Sequence, residues 1–225
     1  MPRDAFLTTA EIQDLFAEEI TAAGGAVSDT FVDRSLLFTR SILPQVREVR
    51  TADQVQGGVA LRAFEGDVWV HPYIFRLVCR NGAIMAHAIQ SRHVEVDEFA
   101  TPEEVATEVW LAIRACCSED AFSAAAEQMR SAREAQADVA LNLLPLISQR
   151  HSGAGAHLLR EIMERFMGDE DRTRFALMNA LTSVARDTPD PQLRWRLEEM
   201  GGGIVAGLSP VPQNDDSEAA AALVG

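Results

Sequence analysis

The side chains with most scope for chemistry crowd into one stretch, Gln56 to Val96, which holds His71, His87 and His93 together with Arg62, Arg76, Arg80 and Arg92. Imidazoles on one side of a strand are raw material for a metal site or a proton relay, and guanidinium groups for a phosphate site, because their planar fork of donors fits two anionic oxygens. The three histidines share strand parity, and His87 and His93 share a face if one continuous strand carries both. A metal site needs three convergent ligands, and no H-x-H, H-E-x-x-H or paired carboxylate accompanies these residues. The expectation is therefore no metal and no cofactor, with the histidines on a polar face or satisfied in the core.

A nucleophile is equally hard to find. Cys79 falls in an apolar segment, which raises a thiol's pKa, and Cys116 and Cys117 fall near a helix C-terminus, where the dipole disfavours a thiolate. The three cysteines show no C-x-x-C spacing, so neither a disulfide framework nor a cysteine zinc site is expected. No G-x-S-x-G, Walker-type or G-x-G-x-x-G pattern occurs, and Gly201 to Gly203 follow a helical pattern rather than a strand. The chain is expected not to be an enzyme.

That leaves the arginines. Arg76 stands among Ile74, Phe75, Leu77 and Val78, where a guanidinium needs a phosphate, a buried carboxylate or a route to the sheet edge. Arg80 adjoins Asn81-Gly82, a dipeptide suited to a tight hairpin turn. Exposed there, it is the strongest single candidate for contact with a polyanion. Arg62, Arg92 and His93 would extend the track, and the bland alternative is that all of these are solvated or paired with nearby acids.

Charge sets the outer limits. All 20 basic residues are arginine against 34 acids, for a net charge of −14, which argues against a generic nucleic-acid binder. The distribution is uneven: residues 26–93 carry eight arginines and six acids, whereas residues 94–225 carry eleven and twenty-three. A cationic surface on an acidic protein fits that division. No apolar run approaches the length of a membrane span, and the acidic N-terminal segment lacks the form of a secretory leader. A cytoplasmic location is expected.

The elements that must position these residues follow from spacing. Thr8 and Glu11 form a capping box ahead of Ile12, Leu15, Phe16 and Ile20 at helical intervals, with Gly24 and Gly25 as the stop. Residues 26–50 predict one or two strands with a turn near Pro44, and pairing continues through Val46 to Ala52. Gln56 to Gly58 predict a turn or bulge, then a strand over Val59 to Phe64 and a turn at Glu65 to Asp67. Val68 to Cys79 predict the strongest strand, with an edge or bulge at Pro72, a turn at Arg80 to Gly82, and a return strand from Ala83 to Val96.

Beyond Val96 the pattern is helical. Thr101, Pro102 and Glu104 give a start signal, and further helices are predicted around Phe122, around 137–148, along Leu158 to Phe166, along Phe175 to Val184, and from Pro191 to a stop at Gly201 to Gly203. The acidic pairs Glu103-Glu104 and Glu119-Asp120 sit in first helical turns, where they complement the dipole. The fold class is therefore α+β: an N-terminal helix, an antiparallel β-sheet core and a helical C-terminal half. Residues 1–100 form the helix and sheet region, 101–208 the helical region packed on it, and 209–225 a tail of disordered composition.

The segment YIFRLVCRNG, Tyr73 to Gly82, resembles the R-x-V-C-x-N-G signature of the phage and plasmid proteins grouped as domain of unknown function 932. GGVALRAFEG upstream, Ser91-Arg92-His93 downstream and Met178 to Thr182 resemble further blocks of that family, across roughly residues 30–205. Arg80 departs from the pattern, which carries Thr or Ser there. A weaker, fold-level resemblance is to the phage single-strand annealing recombinases. These resemblances imply a mobile-element protein that binds single-stranded DNA in annealing or recombination, with Arg62, Arg76, Arg80, Arg92 and His93 as contacts, aromatic stacking available, and a homo-oligomeric state. The acidic composition supports the competing expectation of an interaction module that binds a host or phage protein.

Overall fold

The computed structural model describes residues 7–95, 100–148 and 153–208. The chain is an N-terminal helix, a seven-stranded antiparallel sheet and a run of helices, an α+β architecture in the expected order. Helix α1 (Thr9–Ala22) begins at the Thr8–Glu11 capping box, and Gly24 takes positive φ beyond its end.

Residues 26–50 form three strands: β1 (Ala26–Asp33), β2 (Leu36–Ile42) and β3 (Val46–Arg50). The turn between β1 and β2 falls at Arg34, which takes positive φ without being glycine or asparagine and so leaves little mark in the sequence.

Strand β4 (Asp53–Phe64) is the spine. It pairs with β3 along its first half, with β2 along its second, and with β5 (Asp67–Arg76) throughout. Gly57 and Gly58 do not break it as expected. They lie inside it because a Cβ at Gly57 would be 3.0 Å from the Phe122 ring, and one at Gly58 would strike the Ser41 carbonyl oxygen.

The return from β5 also differs from expectation. β5 stops at Arg76, and the turn is the loop Leu77 to Arg80, with Arg80 rather than Asn81 or Gly82 at positive φ. Asn81 and Gly82 instead open β6 (Asn81–Ile84), buried. The Asn81 amide donates to Thr182 Oγ1 at 2.7 Å, and Gly82 leaves room for the Tyr73 hydroxyl. In place of one continuous strand, β6 pairs with the end of β5, residues 85–91 leave the sheet, and β7 (Arg92–Val94) returns to its beginning.

Pro72 lies at that gap in an interior strand. Its carbonyl accepts from Met85 N at 2.8 Å, so the side on which it lacks a donor is the side where β6 gives way to β7. Val96 and the tail from Ser209 lie outside the described residues.

One face of the sheet, including Leu37, Val59, Leu61, Val68 and Val70, packs on α1 and on α2 (Pro102–Cys116). Across the β3, β5 and β6 end lie α3 (Glu119–Glu134), α6 (Gly153–Gly168) and α7 (Arg174–Asp187), around Ile74, Met85, Phe122, Phe175 and Leu181. The segment expected as a helix over 137–148, with a possible restart at Pro145, is two short helices, α4 (Val139–Asn142) and α5 (Leu144–Ser148), the second opening one residue before that proline.

Helix α8 (Pro191–Ala206) runs through Gly201 to Gly203 rather than ending there, and stops at Gly207 in the left-handed conformation. A side chain at Gly201 would meet Thr182 Cγ2 at 2.7 Å, and one at Gly202 would run into the Ile84 carbonyl, so these glycines let α8 lie flat on α7 and β6. Its Trp195 covers Phe38 on the second face of the sheet, with ring centroids 5.3 Å apart.

Candidate nucleic-acid interface

The β4–β5 hairpin closes through Glu65 and Gly66, both at positive φ. That two-residue turn fixes Phe64 opposite Asp67 and therefore Arg62 opposite Trp69. On either side the register continues, with Phe38 beside Arg62 on β2 and His93 beside Trp69 on β7. Directly opposite residues share a face, so Phe38, Arg62, Trp69 and His93 form one transverse row.

Neighbouring strands are about 4.8 Å apart, within the range of about 4.5–7 Å for the centroids of paired rings. The row uses this coincidence. The Arg62 guanidinium carbon lies 5.9 Å from the Phe38 ring centroid and 4.8 Å from that of Trp69. Beyond Trp69 the imidazole of His93 is stacked at 4.7 Å, with 3° between the planes.

Trp195 covers the buried Phe38, beyond which the row reaches Phe31 on β1 at 6.4 Å, and at the other end the His93 side chain is 45% exposed. His93 Nε2 is 3.0 Å from Asp67 Oδ1, and this contact holds the ring in the plane of the stack. The open end of a cation and aromatic ladder can accept one more flat, electron-rich group, and a nucleobase has that shape.

The five residues named from sequence are divided by the fold. Arg62 and His93 belong to the ladder. Arg92 stands opposite Val70, so it alternates to the other face, where its guanidinium donates to the carbonyls of Ile89 and Ser91 at 2.5 and 2.9 Å. Arg76 and Arg80 lie at the far end of β5, on the order of 20 Å from Trp69 at the rise of a strand.

Arg76 is held by a carboxylate. Its Nε and Nη2 donate to Asp53 at 2.7 and 2.8 Å, and Arg133 Nη1 donates to the same carboxylate at 3.0 Å. Both guanidinium groups lie over Phe175, at 5.1 and 4.0 Å. Burial works against the charge of Arg76, and the hydrogen bond and charge of Asp53 outweigh it, so its pKa is raised. The expected phosphate anchor is thus part of a bridge between β4, β5 and α3. Arg80 is exposed on its loop, and no hydrogen bond through its side chain joins it to the ladder.

Two other groups differ from expectation. Cys79 sits in the partly exposed β5–β6 loop rather than in a strand, with its sulfur 3.1 Å from Arg76 Nη1. His71 lies on β5, the strand expected to carry it, and is buried beside Trp195, while His87 lies in the excursion between β6 and β7 rather than on a strand. Among the described residues no group of three or more His, Cys, Asp or Glu side chains is placed to hold a metal ion.

Sequence reasoning missed Trp69 and Phe38 as members of the site. The Glu65-Gly66 turn was the signal that could have paired Trp69 with Arg62. Nothing local marks His93 as the next rung, because residues 85–91 break the counting.

The fold and the row define an α+β protein with a half-exposed cation and aromatic ladder on its sheet. Compared with family models, curated proteins and solved structures, the chain matches none. Among the described residues no helix is long and apolar enough to cross a membrane.

Proposed function

We propose that this chain is a nucleic-acid-binding protein of a phage or other mobile element that takes single-stranded DNA on the Arg62–Trp69–His93 ladder, in the context of annealing or recombination. The observation that supports it is the flat stack of His93 on Trp69, with the His93 side chain 45% exposed. A base placed on the imidazole would continue a stack that the sheet has already organised, so little side-chain ordering opposes binding. Every base has a π-face, so such a site would read strandedness more than sequence. The mobile-element context rests on the motif resemblance, and the reading assigns no reaction to the chain.

Fluorescence anisotropy with a labelled single-stranded oligonucleotide at low salt tests it. Trp69→Ala or His93→Ala is expected to weaken binding by about tenfold or more, the equivalent of one lost stacking contact. Arg76→Ala and Arg80→Ala, far from the ladder, are expected to change it little. Asp67→Asn removes a carboxylate from the mouth of the site and is expected to strengthen it. An inert wild-type protein, or Trp69 and His93 variants that bind as well as wild type, would sink the reading.

A second reading has its own support. The net charge of −14 suits an interaction module that binds a basic host or phage protein without catalysis. That reading predicts capture of a basic partner that weakens steeply as salt is raised, with the ladder variants indistinguishable from wild type.

A further inference from the structure

Strand β1 stands apart from the rest of the sheet. It pairs with β2 on one side, and among the described residues no strand pairs with its other side. Seven of its eight residues are exposed, and Val27, Phe31 and Val32 are exposed at 41%, 36% and 48%. A long edge with open backbone donors and acceptors and apolar side chains is a template for another strand.

The residues of β1 restrict which strand that is. A two-fold axis perpendicular to a sheet requires opposed residues to share a face. Val27, Thr30 and Val32 share one face through their partners Ser41, Thr39 and Leu37, and Asp29, Phe31 and Asp33 share the other through Arg40, Phe38 and Leu36. Centring the axis on Phe31 would set Asp29 against Asp33 twice, which like-charge repulsion opposes.

Centring it on Thr30 sets Thr30 against itself, Val32 against Val27, Phe31 against Asp29, and Asp33 against Ala26. The irregularity at Ser28, between Val27 and Asp29, keeps Val27 on the face that this register needs. No carboxylate then opposes another. β1 contains two aspartates and no basic residue, so open-ended stacking of many chains is disfavoured while one closed two-fold register remains.

We propose that β1 is the interface of a two-fold homodimer, with the strands antiparallel and centred on Thr30, so that the two sheets become one. The occupant is a second copy because this register pairs most of β1 with itself and sets no carboxylate against another. The proposal is independent of what the ladder binds. If the ladder does bind single strands, the dimer carries two ladders on one continuous sheet.

Size-exclusion chromatography with light scattering on the full chain tests it. The expected mass approaches twice the 24.6 kDa of the chain at high protein concentration. Raising salt should favour the dimer, because each copy is strongly acidic and screening weakens their repulsion. Val32→Lys and Val27→Asp are each expected to return the protein to the mass of one chain. Combined, they place opposite charges against each other at both ends of the interface and should restore the doubled mass.

Hydrogen exchange on the wild type gives a readout free of substitutions, since the outward amides of β1 should be protected increasingly as concentration rises. A wild type that stays at the single-chain mass overturns the proposal. So does a doubled mass indifferent to both single substitutions, a combined variant no better than either, or β1 exchange that ignores concentration.

Discussion

His71 carries an imidazole that is 6% exposed and whose Nδ1 has no hydrogen-bond partner. Burial, then the neighbouring charges of His87, His93 and Arg62, push its pKa down from 6.5 to about 4. In the unfolded chain the same group takes up a proton near 6.5, so between that value and about 4 the unfolded state binds more protons and stability falls as pH falls. The stability is fully present above about 6.5, and the loss reaches about 3 kcal/mol by about pH 4. Denaturant melts across this range should therefore show a midpoint that drops with acidity, and His71→Gln should flatten the drop; parallel curves for the two proteins would remove His71 as its source. Asp53 presents one carboxylate, 7% exposed, that answers both Arg76 and Arg133. Asp53→Asn leaves two half-buried guanidinium groups facing each other and is expected to cost about 3 kcal/mol, whereas Arg76→Met leaves the Arg133 pair intact and should cost less. Urea midpoints decide this, and an Asp53→Asn variant as stable as wild type would deny the bridge its structural role. The apolar neighbours of Arg76 announced that it needs a partner, and the identity of that partner lay at a distance in sequence that local reading does not reach.

Elements were legible where a local device sets them. The Thr8–Glu11 and Thr101–Glu104 capping boxes start α1 and α2 as expected, since a hydroxyl and a carboxylate three residues apart satisfy each other's backbone donors. Glycines misled, because the same residue serves two physical ends. Gly57, Gly58, Gly201 and Gly202 are there for close approach rather than for a turn, and only the packed neighbour reveals which end applies. Two alanine substitutions separate the cases. Gly202→Ala must push α8 away from the Ile84 carbonyl of β6 and is expected to lower stability by about 2 kcal/mol or more, as overpacking does. Gly168→Ala, at the end of α6 with open space around it, should be neutral or stabilising by up to about 1 kcal/mol. Thermal melts of the two proteins side by side provide the check, and equal effects would mean that α8 does not depend on contact at Gly202.

At the scale of the molecule, acidity and a cationic row coexist because the fold pairs charges across long stretches of chain. Arg40, 3% exposed, bonds Glu198 at 2.6 Å across 158 residues, and Arg194 joins Asp29 to the same glutamate. Such pairs pin α8 to β1 and β2 and remove arginines from the surface, so the excess of arginine in residues 26–93 does not translate into an equal positive field. The ladder itself contributes the guanidinium of Arg62 and the imidazole of His93, the latter already facing Asp67 at 3.0 Å. Counterion release then has little to act on. For a single strand the logarithm of the binding constant falls with the logarithm of salt concentration at about 0.7 per neutralised phosphate, so one or two phosphates give a slope between about −0.7 and −1.4. Stacking, at about 1–3 kcal/mol per base, must supply the rest of the affinity, and it is nearly indifferent to salt. Anisotropy titrations over a salt series should therefore give a shallow line for wild type, with Trp69→Ala shifting it down at every concentration without changing its slope. A line as steep as about −3 would require four or so phosphates to be neutralised, which the ladder cannot do, and would move the site to another surface.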